Sequence, residues 1–273
     1  MGFLRIIKAQ IIRWTKTEFF RPFVLFWNLV LPFTWGLQFY FLYLPFNFKT
    51  ISLQLLNVGT LEIDLLGFTL TGQFCWMLFI NASLFGGVFF MRERWEGTLE
   101  VLLLSPASRI GIITGNALAA TVNFLWFSMG LILSLVLLKI QFNISSLIAV
   151  IISLLVSFLV LLTMGMFFES FFIASRLGGM WATAIQEPLQ FTSGLIFPVQ
   201  YLPRIFKTIA IAVPLTYIFL IIRGTLLGAL SLGDIFLELL ILLFFAIGLF
   251  FFSSIFLGLV EKHVKHKANL TLF

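Results

Sequence analysis

Six stretches of this chain, residues 23–46, 66–91, 111–138, 147–173, 178–198 and 235–260, are apolar over the length a bilayer demands. A helix needs about 20 such residues to cross the hydrocarbon. No soluble core could absorb all six. Hydrophobic residues make up 61% of the 273 and charged residues only 10%, against about 25% charged in soluble domains. In hydrocarbon a backbone must satisfy its own polar groups, so each run is expected as a helix. The expected fold class is an all-α polytopic membrane protein.

A further apolar stretch, 205–230, is interrupted by Lys207, Pro214, Arg223 and Gly224. Charge placement decides whether it crosses, because cytoplasmic loops are enriched in Lys and Arg. With six spans and the N-terminus inside, the inner segments hold Arg5, Lys8, Arg13, Lys16, Arg21, Arg92, Arg94, Arg109, Arg176, Lys262, Lys265 and Lys267. The outer ones hold only Lys49, Lys139, Arg204, Lys207 and Arg223. A seventh crossing would put the basic tail "EKHVKHK" outside, against the same rule. The expectation is six transmembrane helices with both termini cytoplasmic, and residues 199–230 forming a re-entrant hairpin on the outer side. Backbone can dip into the membrane in this way where protein shields it. The net charge of +6 then belongs to cytoplasmic loops of an inner or plasma membrane protein, not to a nucleic-acid surface. No cleavable signal is expected, since small-residue cleavage chemistry does not follow the first apolar run.

Two domains are expected: residues 1–22 as an interfacial helix and 23–273 as the transmembrane unit. At 100° per residue, Arg5, Lys8, Arg13 and Lys16 share one arc of the leading segment, and Phe3, Leu4, Ile7, Ile11 and Trp14 the opposite one. Such a helix sinks its apolar face between headgroups and attracts anionic lipid. Ile6 and Ile12 break the pattern. Between the first two spans, "TISLQLLNVGTLEIDL" alternates in the strand manner around Asn57-Val58-Gly59, which predicts a small hairpin.

Several chemistries are excluded. No Gly-Lys pair occurs, so there is no phosphate-gripping P-loop. Neither HExxH nor GxSxG is present. A single Cys, Cys75, rules out a disulfide or a multi-cysteine metal site. No cofactor or metal is expected on this chain.

"FFMRERWEGTLEVLLLSPASRIGIITG", residues 89–115, sets five ionised side chains, from Arg92 to Glu100, between two lipid-like runs. Arg92, Glu96 and Glu100 repeat at i, i+4, i+8 with Glu93 beside them, while Trp95, Leu99, Leu102 and Leu103 line the other face. Ser105-Pro106 ends the pattern. This predicts an amphipathic helix over 92–104 that shows its ions to the cytoplasm. A connection between helices needs only about 2–8 residues, so a dozen ordered ones predict that something docks there.

These residues resemble a known family. "RERWEGTLEVLLLSPASRIGIITGNALAA" is similar to the "RE…GTLE.LL..P.SR" pattern of type-2 ATP-binding-cassette (ABC) exporter permeases. "SGLIFPVQYLPRIFKTIAIAVPLTYIFLIIRGTLLG", residues 193–228, resembles their "SG…P…LP…….PLTY….R..LLG" block, closest to the drug- and lipid-exporting branch. The resemblance implies that 92–104 is a coupling helix seated in a separate ATPase subunit, which holds the ATP and Mg. Its docking residues would be Arg92, Glu93, Glu96, Gly97, Thr98, Leu99 and Glu100. It also implies a second permease copy or a related permease, an amphipathic or lipidic cargo, and a re-entrant hairpin containing Pro214, Leu215, Thr216 and Tyr217. "RPFVLFWNLVLPFTWGL" matches the polymer-exporting members only loosely, which leaves polymer export as the alternative. An intramembrane enzyme would need a nucleophile or metal constellation in the spans, and a scaffold would leave 92–104 unexplained.

One carboxylate falls near the centre of a span. Glu187, in "AIQEPLQF", lies between Gln186 and Gln190. Such a group costs about 2.5–3.5 kcal/mol at the bilayer centre and marks a pathway when it faces water. The resemblance implies that the fifth and second spans line the route, which adds Thr71, Gln73 and Asn81. Interhelical hydrogen-bond glue is the other reading of these polar residues. A Glu169–Arg176 ion pair is expected near the inner boundary, and Gly111, Gly115 and Ala119 are expected to pack helices.

Overall fold

A computed structural model describes residues 3–16, 21–43, 45, 50–55, 59–84, 93, 95–98, 101, 105, 107–137, 147–174, 178–227 and 230–266. Helix α1 (Phe3–Trp14) precedes α2 (Pro22–Tyr43). The antiparallel strands β1 (Thr50–Leu55) and β2 (Gly59–Asp64) follow, in register from Thr50 opposite Asp64 to Leu55 opposite Gly59. Then come α3 (Leu65–Phe79), continued by a π-helical turn Ile80–Leu84, α4 (Arg109–Leu137), α5 (Leu147–Ala174) and α6 (Gly178–Thr192). The chain ends with α7 (Arg204–Ala212), α8 (Pro214–Leu226) and α9 (Phe236–His266).

A helix stands at each of the six apolar runs. Three of the described helices, over Ile110–Gly130, Leu147–Phe168 and Phe236–Leu259, are long and apolar enough to cross a membrane. α7 and α8 pass the same test only together, and they are bent by 83° at their junction. The apolar surface of these helices is divided between the interior and the outside. α5 turns Ser157, Val160 and Leu161 inward and Ile151, Leu155 and Leu159 outward. A helix that is apolar all round has no soluble face to offer, which fits lipid on its outer side.

The core is built on α8. Leu215, Ile218, Ile221 and Ile222 are fully buried among Leu70, Cys75 and Phe79 of α3, Leu161 of α5 and Leu242 of α9. α9 packs most extensively along α5, and α1 and α2 lie along α4. Polar groups tie helices where apolar packing alone would let them slide. Ser83 donates its hydroxyl to the Leu161 carbonyl at 2.9 Å, and the Trp126 indole N–H to the Leu25 carbonyl at 2.9 Å. Such bonds stabilise a bundle whose lipid gives it no hydrophobic drive to associate.

The structure adds detail to the expected runs. The fifth run is helical only to Thr192, not 198: Ser193-Gly194 forms a turn in which Gly194 has φ 84, a left-handed conformation that suits glycine. The second run leaves α geometry after Phe79 for the π turn, and its last residues, 85–91, lie outside the described residues. The sixth continues as helix through "EKHVKH" to His266. The leading helix packs on Ile6, its buried residue, while Leu4 is 79% exposed. Phe3, Ile6 and Ile7 lie against α4, and Leu4 stands clear of it.

Candidate functional site

Three places hold the polar chemistry. The first joins α1 to the charged segment after α3. Glu93 and Trp95 are helical, and Gly97 then turns the chain with φ 73. The Thr98 N–H donates to the Glu93 carbonyl at 2.9 Å, the six-to-one bond of a Schellman ending with glycine at its left-handed position. A second helical bond, from Ser105 N–H to the Val101 carbonyl, follows beyond the turn. One helix does not run through 92–104, so the i, i+4, i+8 register through Arg92, Glu96 and Glu100 is interrupted at Gly97. Arg92, Leu99 and Glu100 lie outside the described residues, as does Arg176 of the expected Glu169–Arg176 pair.

One expected face is reversed: Glu93 is buried, while Trp95 is 77% exposed. Glu93 accepts from the Arg13 guanidinium of α1 on one oxygen and from the Thr98 hydroxyl, at 2.6 Å, on the other. Glu96 stays half exposed, 4.0 Å from Arg13. Behind this joint α1 lies in a groove on α4. A Cβ at Gly115 would stand 2.9 Å from the Gln10 Cβ and 3.1 Å from the Ile7 Cα; one at Gly111 would stand 3.2 Å from Phe3. The small residues of α4 thus receive a helix, as expected.

The second place is the polar content of α3 and α6, which the structure divides. Thr71, Gln73 and Asn81 are buried inside the protomer. Thr71 donates to the Gly67 carbonyl at 2.6 Å and Asn81 to the Met77 carbonyl at 2.8 Å, both along their own helix. The Gln73 side-chain oxygen is buried with no hydrogen-bond partner. On α6, by contrast, Glu187 is exposed and Gln186 and Gln190 are half-buried. Met180, Trp181 and Phe191 are exposed on the same helix, which packs on α5 and α7. Burial sorts the two sets: Gln73 and Asn81 into the interior, Glu187 onto the surface, in the second half of α6.

The third place is the elbow between α7 and α8. Val213 before Pro214 is extended (φ −97, ψ 122), as a pre-proline residue prefers. The last carbonyls of α7 would be left without donors there. Thr216 donates to the Ala210 carbonyl at 2.7 Å and Tyr217 to the Ile211 carbonyl at 3.0 Å, while Leu215 is buried in the core. The "PLTY" residues are thus the fastening of the bend: a proline start, an apolar anchor and two hydroxyl donors. Beyond α8, the Ser231 hydroxyl and N–H both donate to Asp234, at 2.7 and 2.8 Å, and these two bonds hold its carboxyl below the usual carboxylate range.

Two residues went unassigned in the sequence reading. Arg223 was counted as an outer-side charge, yet it is buried in α8 and reaches the backbone of the turn after α6. Glu238, in the first turn of α9, is buried with one carboxylate oxygen lacking a hydrogen-bond partner. The available signal for both was an ionised residue within an apolar run, which normally calls for a partner.

Among the described residues no group of three His, Cys, Asp or Glu could hold a metal ion. The family model described as ABC-2 type transporter matches residues 3–227. No curated protein matches the chain.

Proposed function

The chain belongs to the ABC-2 type transporter family, and from that premise we propose how it works as the membrane permease subunit of an ABC transporter. A permease of this kind has no ATPase of its own and partners an ATPase subunit, which in this reading holds the ATP and Mg. The proposed activity is export of an amphipathic or lipidic compound across the inner or plasma membrane by two permease copies, or by this chain with a related permease. Six spans with both termini cytoplasmic carry it, α7 and α8 forming the outer re-entrant elbow. The broken segment 92–104 is the coupling element. Glu96, with Arg92 and Glu100, offers charge to the ATPase, and Glu93 holds the element onto α1.

Glu187 is the observation that carries this reading. It is exposed on an apolar helix between two half-buried glutamines. A carboxylate facing lipid would cost about 2.5–3.5 kcal/mol at mid-membrane on insertion scales. A water-filled route bounded by α6 and a second copy removes that cost and explains its exposure. Gln186 and Gln190 extend the polar wall. Gln73, with its unpartnered oxygen, and Asn81 supply the second wall as α3 turns during the cycle.

The test uses the permease purified with its ATPase and reconstituted in proteoliposomes. Glu187→Gln keeps shape and hydrogen bonding while removing charge. Transport of cationic or hydroxylated amphiphiles should fall at least about tenfold, the equivalent of one good polar contact, with ATP hydrolysis retained. Wild-type transport by the Gln variant for every compound tried would remove Glu187 from the route.

A further inference from the structure

Arg223 is the most thoroughly enclosed cation among the described residues, at 2% exposure. Its position is set by three elements. On α3, Phe68 and Gly72 are one helical turn apart on the same face. The guanidinium carbon lies 3.7 Å from the centroid of the Phe68 ring, a cation over the negative face of an aromatic. Gly72 provides the room beside it, since a Cβ there would come within 2.3 Å of Nη2 and 3.1 Å of the Leu195 carbonyl oxygen. From the turn that ends α6, Gly194 presents its carbonyl to Nη1 and Leu195 its carbonyl to Nη2, the latter at 2.9 Å. A planar fork is the shape that engages two adjacent acceptors at once. The two sequence blocks "SG" and "R" of residues 193–223, far apart in the chain, are therefore one contact.

We propose that Arg223 is a positioning residue for transport: the pin that fixes the end of α6 to α3 and α8, so that α6 turns about a held point when the coupling element moves. It acts through the backbone of residues 194 and 195 and touches no cargo. The proposal rests on the permease reading above, in which α6 carries the polar wall. α6 leaves much of its surface exposed while Ile185 and Leu189 pack on the core, and the turn that follows adds a polar hold at this end. A helix free at both ends would respond to a push at one end by drifting. A helix held at one end converts the same push into rotation of Glu187.

Two variants reach the pin from different helices. Arg223→Gln removes the fork, and Gly72→Ala leaves the charge but drives the guanidinium off the Leu195 carbonyl. Arg223→Lys supplies a point donor that reaches one carbonyl and should fall between wild type and Gln. In the full chain in nanodiscs, amide exchange of residues 193–202 should rise at least about tenfold, local opening without global unfolding, while α5 stays unchanged. The double variant should be no worse than the more severe single one, as for two changes acting on one contact. In the complex with its ATPase, hydrolysis should persist while transport per ATP is lost, with Lys restoring part of it. Unchanged exchange at 193–202 in both single variants would overturn the pin. So would a rise in α5 and α9 together with parallel loss of hydrolysis and transport, which marks a merely structural residue. If Arg223→Gln does not fold, Gly72→Ala carries the same test alone. Absence of ATP-driven transport in the wild-type complex would instead refute the export reading, and the exchange measurements would still decide Arg223.

Discussion

Arg13 and Glu93 are unequal partners. The arginine side chain keeps 37% of its surface exposed and the glutamate 2%. Deleting the cation leaves a buried carboxylate with the Thr98 hydroxyl; deleting the anion leaves a guanidinium that already meets water and still has Glu96 4.0 Å away. Arg13→Ala should therefore cost about 1–3 kcal/mol, the usual penalty for a buried group deprived of its partner. Glu93→Gln should cost less, and the double variant Arg13→Met with Glu93→Met should recover most of the stability. Melting temperatures of the purified protein check the order, and equal losses for Arg13→Ala and the double variant would contradict it. The sequence put both residues in segments expected to be cytoplasmic and assigned Glu93 to the surface. A period of four is blind to Gly97, whose left-handed turn swings Glu93 inward. Arg223 shows the converse. Its charge argued for exposure, and only the acceptors of a turn 28 residues away make its burial tolerable.

At the scale of elements, the contact of α1 with α4 depends on two missing methyls of different consequence. At Gly115 an added Cβ meets the Gln10 Cβ and the Ile7 Cα, parts of α1 that move only if the helix moves. At Gly111 the nearest atoms are the Ser108 hydroxyl, which accepts from the Gly111 N–H, and the ring of Phe3, a side chain that can swing aside. Gly115→Ala should lose about 1–3 kcal/mol, as overpacked sites do, and Gly111→Ala clearly less. Thermal stability of the two variants measures the difference, and increased amide exchange confined to α1 in Gly115→Ala would locate it. The existence of nearly every helix was legible, because about 20 apolar residues leave a chain few alternatives. The hairpin was legible too, from alternation on both sides of Asn57-Val58-Gly59. Ends were harder: α6 stops at Thr192 for the sake of a turn whose carbonyls Arg223 needs, a reason that exists only in three dimensions. Which face of α1 is buried was likewise hidden, since Ile6 looks like an error in an interfacial helix and is in fact its contact with α4.

For the whole molecule, the open choice is whether α7 and α8 together make one bent crossing or return to the side they entered. The 83° elbow is compatible with either by geometry alone. Its fastenings favour a return. Thr216 and Tyr217 close the carbonyls of α7 from within the protein, so the bend is a built corner and not a strained span. α7 leaves Ile205, Phe206 and Ile209 exposed beside Arg204 and Lys207, the composition of a helix lying in an interface. The basic end of α9, in "EKHVKH", belongs on the cytoplasmic side by the charge rule, and α9 can cross only once. On the six-span reading the loop at Ser231 is then outside, on the same side as Tyr201 before α7. Both residues are exposed, which makes them usable as reporters. In a Cys75→Ala background, single cysteines at Tyr201 and Ser231 should both react with a membrane-impermeant thiol reagent in intact cells. A cysteine at Ser108, exposed at the start of α4, should react only after the membrane is opened. A crossing elbow would separate the two outer reporters, leaving one of them protected. That result would restore a seventh span and place the tail of α9 outside, where its lysines would have to be explained anew.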